Sequence, residues 1–148
     1  KGLVIEKVDG PSHLKVVEEF GYEMYMHCGA IRKVLLAWQT PTFIDEYFRT
    51  IIIHDQAFPH VRPDDLREEL KKIRQDGYAI TRGEYVNDAV GIGAPVFNSE
   101  GELAGSGIIA PEIRIGSPEL LETQRDLVQF YASALSSDLG YEKHDVFQ

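Results

Sequence analysis

The chain contains one cysteine, no surplus of basic residues and no long apolar run. A single cysteine excludes an internal disulfide framework and fits a reducing compartment, so a cytoplasmic location is expected. Fifteen Lys and Arg stand against 24 Asp and Glu, for a formal net charge of −9. Affinity for DNA comes largely from clustered cations at phosphates, so this chain is not expected to bind duplex DNA itself. If a parent protein binds DNA, a segment outside this chain must do so. No stretch nears the ~18 apolar residues needed to cross a bilayer, and no membrane partner is expected. The run Ile51-Ile52-Ile53 stops at His54-Asp55. No signal-peptide pattern is present, and a chain that opens on Lys1 reads as a fragment of a longer protein.

Catalytic signatures are equally scarce. Gly91-Ile92-Gly93 begins like a dinucleotide fingerprint but lacks the third glycine and the following helix. Gly105-Ser106-Gly107 lies within a strand pattern, not at a nucleophile elbow. The five histidines lack the i, i+4 spacing of a helical metal site. His54-Asp55 with His60 reads either as a surface loop or as a loop metal site. No cofactor and no resident metal are expected. The most reactive pairing on offer is His27-Cys28, since a helix N-terminus or a nearby imidazolium favours thiolate. The alternative is that Cys28 is a small apolar packing residue.

What is present is enough for one folded domain over residues 1–148. The hydrophobic fraction is 43% and a chain of 148 residues can bury a core. Gly2–Val8 alternates and then turns at Asp9-Gly10-Pro11, which predicts a strand. His13–Val17 is a candidate second strand, and Gly21–Met26 is ambiguous. From Gly29 the period turns helical, with Ala30, Ile31, Val34, Leu35 and Trp38 on one side and Arg32, Lys33 and Gln39 on the other. Thr40-Pro41 and Ser117-Pro118 each read as an N-cap followed by a first-turn proline. Pro63-Asp64-Asp65 opens a helix whose inner stripe is Leu66, Leu70 and Ile73 and whose cap is Gly77. The last helix is expected to bury Leu120, Leu127, Tyr131, Ala134 and Leu135 and to end at Gly140, leaving a tail from Tyr141 to Gln148.

The most informative segment is Gly77–Arg114. Its apolar runs Val90–Phe97 and Leu103–Ala110 flank Asn98-Ser99-Glu100-Gly101 and read as a β-hairpin after a strand at Tyr78–Glu84. Both runs are rich in small residues: Gly91, Gly93, Ala94, Ala104, Gly105 and Gly107. Such residues admit either a ligand or a closely packed helix above the sheet. Hairpin signals outnumber βαβ crossovers, so the expected class is α+β, an antiparallel sheet with helices packed on it.

Three motifs in order carry a resemblance. They are Val4-Ile5-Glu6-Lys7-Val8-Asp9-Gly10-Pro11; His27-Cys28-Gly29-Ala30-Ile31-Arg32-Lys33-Val34-Leu35-Leu36-Ala37; and Gly77-Tyr78-Ala79, Glu84, Gly93-Ala94-Pro95-Val96-Phe97-Asn98, Gly101 and Ala110-Pro111 to Arg114. Together they resemble the C-terminal effector-binding domain of IclR-type bacterial transcriptional regulators. The resemblance implies a GAF-like α/β fold, here lacking the family's first helix and strand. It implies no enzyme, but a sensor that binds a small organic-acid or aromatic effector and modulates DNA binding by a separate winged helix-turn-helix. It also implies a homodimer or tetramer, in keeping with apolar residues such as Phe43, Phe48 and Phe147 that one small core does not obviously hold.

Carried over by position, the implied effector site comprises Leu14, Met26, Cys28, Gly29, Ala30, Ile31, Thr81, Gly91, Ile108 and Ala110. The N–H groups of Ala30 and Ile31 would take a carboxylate or carbonyl, as a helix N-terminus does. Thr81 stands where the family often has Asp. Ile108 and Ala110 stand where binders of small keto acids use hydroxyls, so a mostly apolar molecule with one anionic or carbonyl end is expected. Arg32 replaces the family glycine before Lys33. The competing readings are a small thiol- or metal-dependent enzyme using Cys28 and His27, and a pure oligomerisation module.

Overall fold

The computed structural model describes residues 1–17, 19, 21–54 and 61–143. In chain order its elements are β1 (Gly2–Leu3), β2 (Glu23–Met24), α1 (Ala30–Ala37), α2 (Pro41–Thr50), a 3-10 turn (Ile52–His54), α3 (Pro63–Asp76), β3 (Ala79–Arg82), β4 (Ala89–Phe97), β5 (Leu103–Pro111), α4 (Glu112–Ile115) and α5 (Pro118–Asp138). Strands β3, β4 and β5 form one antiparallel sheet in that order, and β1 and β2 form a separate two-residue ladder. The expected antiparallel sheet with packed helices is therefore the fold.

Asn98 sets the register of the hairpin. Its side-chain oxygen accepts the N–H groups of Glu100 at 3.0 Å and Glu102 at 2.9 Å. Gly101 turns the chain with φ of 76°, a conformation that costs glycine little. This places Phe97 opposite Leu103, and hence Gly91 opposite Ile109 and Gly93 opposite Gly107. Directly opposed residues share a face, so β4 and β5 each present one set to each side.

On one side lies α1, itself backed by α3. A Cβ added at Gly93 would come within 2.8 Å of the Ile31 Cα, and one at Gly105 within 2.7 Å of the Ile31 carbonyl oxygen. The helix backbone rests directly on the sheet at these points, and helix packing accounts for both glycines. On the other side Val90, Ile92, Ala94 and Val96 meet Leu121, Val128 and Ala132 of α5. The layers run α3, α1, sheet, α5.

The caps follow the sequence. Thr40 Oγ1 accepts the Phe43 N–H at 3.2 Å, and Ser117 Oγ accepts the Leu120 N–H at 3.4 Å. Gly77 closes α3 in the left-handed conformation.

Several expectations are corrected. The Gly2–Val8 strand shrinks to two residues paired with Glu23–Met24, and Val4 adds backbone bonds to Tyr22 and Gly21 where the chain turns. His13–Val17 forms no strand. Arg32 and Lys33 do not face solvent; both are buried, since α1 is covered on two sides. Helix α5 buries Leu121, Val128, Ala132 and Ser136, whereas Leu120, Leu127, Tyr131 and Leu135 are exposed and Ala134 is half-buried. The helix seats Leu121, Val128 and Ala132 on the branched face of the sheet. Phe48 is core, with the Arg67 guanidinium 4.1 Å from its ring centre, while Phe43 is 41% exposed. Phe147 and the candidate ligand His60 lie outside the described residues, as does Asp55.

Candidate functional site

The start of α1 is unusual. Its N-cap is Gly29, whose φ of 84° and ψ of 149° suit glycine and which has no side chain to cap with. The first N–H groups of a helix lack intrahelical partners. Here other elements supply them. Thr81 Oγ1 from β3 accepts the Ala30 N–H at 3.0 Å, and Glu84 Oε2 accepts the Gly29 N–H at 3.4 Å. No partner for the Ile31 N–H is found among the described residues.

A cleft opens at this point, between α1, the sheet and the loop that joins β3 to β4. It is lined by residues 29–32, Thr81, residues 84–86, Ala89, Gly91 and Ile109. Gly91 makes its floor: a Cβ there would meet Thr81 Oγ1 at 3.2 Å and the Ala30 Cβ at 3.4 Å. Tyr85 walls it beneath Arg32, whose guanidinium carbon lies 4.9 Å from the ring centre, an attractive cation–π arrangement. The cleft is nearly shut, with room for roughly one water molecule.

A second, polar cleft adjoins it. Lys33, with a side chain only 4% exposed, donates to both oxygens of Glu69 at 2.8 and 2.9 Å and to Glu84 Oε1 at 2.6 Å. His27 and Cys28 line this cleft with Arg62, Asp65 and both glutamates. His27 is 1% exposed with Nδ1 2.8 Å from the Tyr47 hydroxyl, and that hydroxyl also accepts the Met26 N–H at 2.9 Å. Cys28 is 2% exposed. Among the described residues no group of three or more His, Cys, Asp or Glu could hold a metal ion.

Of the ten residues placed at the site from sequence, the structure brings together Gly29, Ala30, Ile31, Thr81 and Gly91. It does not bring the other five to this cleft. Ile108 and Ala110 face α5, because Ile109 is the residue opposed to Gly91. A one-residue slip in a strand exchanges its two faces. The signal was available: pairing Phe97 with Leu103 across the turn puts Gly91 beside Ile109. Met26 is core, and Leu14 is 63% exposed with its carbonyl accepting a bond from Arg114. Cys28 belongs to the polar cleft. Glu84, Tyr85 and Ile109 line the cleft without having been expected there; Glu84 was visible as a motif residue, but its contact depends on the loop's position over α1.

Comparison with known proteins gives a consistent picture. Residues 1–137 match the family model described as bacterial transcriptional regulator IclR C-terminal. The uncharacterized HTH-type transcriptional regulator RhmR of Escherichia coli K12 is 30% identical over 139 residues, covering 92% of this chain and 51% of that protein. The HTH-type transcriptional regulator KdgR of Dickeya chrysanthemi is 29% identical, covering 97% and 47%. The chain thus spans about half the length of these relatives. The crystal structure of the Thermotoga maritima IclR superposes with a TM-score of 0.82 at 27% identity, over 94% of this chain and 57% of that one.

Proposed function

Because this chain belongs to the IclR family of bacterial transcriptional regulators, we propose that it is the ligand-sensing part of such a regulator. In this reading a small organic acid or aromatic effector binds at the start of α1 and alters DNA binding by a segment outside the chain. The observation that carries it is the cleft itself, where a glycine-capped helix start, Thr81, Gly91 and Ile109 meet above the sheet. Backbone N–H groups and the helix dipole offer one polar end, and Ile109, Val86 and Ala89 an apolar body, which suits an apolar molecule with one carboxylate or carbonyl. The net charge of −9 supports leaving DNA contact to another segment.

The protein acts without catalysis in this reading. The seclusion of Cys28, and of His27 against the Tyr47 hydroxyl, speaks for packing roles. It works in the cytoplasm, and no described helix is long and apolar enough to cross a membrane. It self-associates as a dimer or tetramer, a property favoured by Leu127, Tyr131 and Leu135 exposed beside Ile108.

Calorimetry with benzoate, short fatty acids, pyruvate and glyoxylate tests the reading. Binding of the apolar acids that Gly91→Leu abolishes and Cys28→Ala preserves is the expected result. Retention of full affinity in Gly91→Leu would show that the ligand sits elsewhere.

A further inference from the structure

Among the described residues Glu84 is the one side chain that lines both clefts, and its two oxygens are divided between them. Oε1 lies 2.6 Å from the Lys33 ammonium, a short charge-assisted bond. Oε2 reaches the Gly29 N–H at 3.4 Å, a long and weak one. The start of α1 therefore already holds a carboxylate, supplied by the protein. Lys33 has a second partner in Glu69, which binds it through both oxygens. Release of the Gly29 N–H by Glu84 would leave no buried charge unpaired.

The cleft also requires something to move, since it has room for roughly one water and no effector of the proposed class is that small. The covering element is the loop from Gly83 to Asp88, which carries Glu84, Tyr85 and Val86. Left-handed residues stand at both of its ends, Gly83 with φ of 63° and Asp88 with φ of 58°. Its base is pinned by the Gly83 N–H donating to the Ala89 carbonyl at 2.8 Å. Its tip is held through side chains: Glu84 bonds Gly29 and Lys33, and the Tyr85 ring lies under Arg32 and 6.3 Å from that of Tyr22.

We propose that Glu84 is an internal placeholder for the effector's carboxylate, and that binding exchanges the two. The effector takes the Gly29 N–H together with the Ile31 N–H, Glu84 withdraws onto Lys33, and the 83–88 loop loosens. Glu84 is then a specificity-determining residue: an anion gains only by displacing it, and a neutral molecule gains less from doing so. The proposal rests on the effector-cleft reading above. It adds that ligand entry is reported by a loop that becomes freer on binding.

The test uses the 148-residue chain with benzoate and its neutral isostere benzamide as probes. Calorimetry is run on the unsubstituted chain and on Glu84→Ala, Glu84→Gln and Gly91→Leu. Amide hydrogen exchange follows residues 29–33 and 83–88 with and without benzoate. Glu84→Ala is expected to bind benzoate about tenfold tighter and benzamide within about twofold of the unsubstituted chain, with Glu84→Gln in between. Saturation with benzoate is expected to speed exchange at residues 83–88 several-fold while slowing it at Ile31 and Arg32. Should benzoate bind, be lost in Gly91→Leu, yet protect residues 83–88 and show the same benzoate-to-benzamide ratio in all Glu84 variants, the exchange is wrong and the cleft reading stands. Failure of benzoate to bind even Glu84→Ala at about 10 mM, with circular dichroism showing that variant folded, would overturn both.

Discussion

The two faces of the β3–β4–β5 sheet solve the same problem in opposite ways. Under α5 the sheet offers Val90, Ile92, Ala94 and Val96, and the helix meets it with side chains. Under α1 it offers Gly91, Gly93, Gly105 and Gly107, and the helix meets it with backbone at Gly93 and Gly105. The first arrangement gains stability from buried apolar area. The second gives up that area to bring a helix start, with its unsatisfied N–H groups, down onto the strands. The difference teaches where a site can form. A face filled by branched side chains is finished, whereas a face of glycines leaves polar backbone close to a cleft floor.

The strongest way to break this comparison is Gly93→Val. Its new side chain would run into the Ile31 Cα and the Ala30 carbonyl group, which cannot step aside without lifting α1. A loss of about 3 kcal/mol or more in urea unfolding is expected, up to failure to fold. A cost under about 1 kcal/mol would mean that α1 is not seated on the sheet as described. Ile92→Ala probes the opposite face by removal. Ile92 is fully buried, so a cavity penalty of about 2–4 kcal/mol is expected in the same measurement, with ligand binding retained.

A sharper comparison sets Ile109→Ala against Ile108→Ala. These neighbours point to opposite faces, one to the cleft and one to α5. Truncating Ile109 should weaken benzoate binding about tenfold by calorimetry, whereas truncating Ile108 should leave the affinity within about twofold. The reverse pattern would place the ligand on the α5 side. The smallest effect is expected for Leu127→Ser with Tyr131→Ser, which change exposed positions on α5. Their combined cost to unfolding should stay near about 0.5 kcal/mol in the monomer. Sedimentation should show weaker self-association, and unchanged association would remove this face of α5 from the interface.

How much of this was legible in the residues varied with the reach of the interaction that decides it. The Thr40 and Ser117 caps, the left-handed Gly77 and the Asn98–Gly101 turn were readable because each is settled within a few residues of chain. The hairpin and the three family motifs were readable for the same reason. The inner face of α5 was misread, because Leu120, Leu127, Tyr131 and Leu135 form as good a helical stripe as Leu121, Val128 and Ala132. Periodicity shows that a stripe exists but does not choose between two that lie side by side. Of the ten residues that the motifs suggested, five share the cleft at the start of α1; Ile108 and Ala110 lie on the α5 side of the sheet, and the contact of Glu84 with α1 was not legible in its motif.

By itself, then, the sequence determined the class of the fold, the element that begins at Gly29 and the glycine-rich hairpin beneath it. These follow from local backbone preference and side-chain period, which act over a few residues. Only the tertiary structure decided that α1 lies backbone-down on Gly93 and Gly105, that Ile109 and not Ile108 faces the cleft, and that Glu84 reaches across 55 positions to the Gly29 N–H. Those outcomes depend on which surfaces meet, and a helix start without a capping side chain must take its hydrogen-bond partners from whatever the fold brings to it.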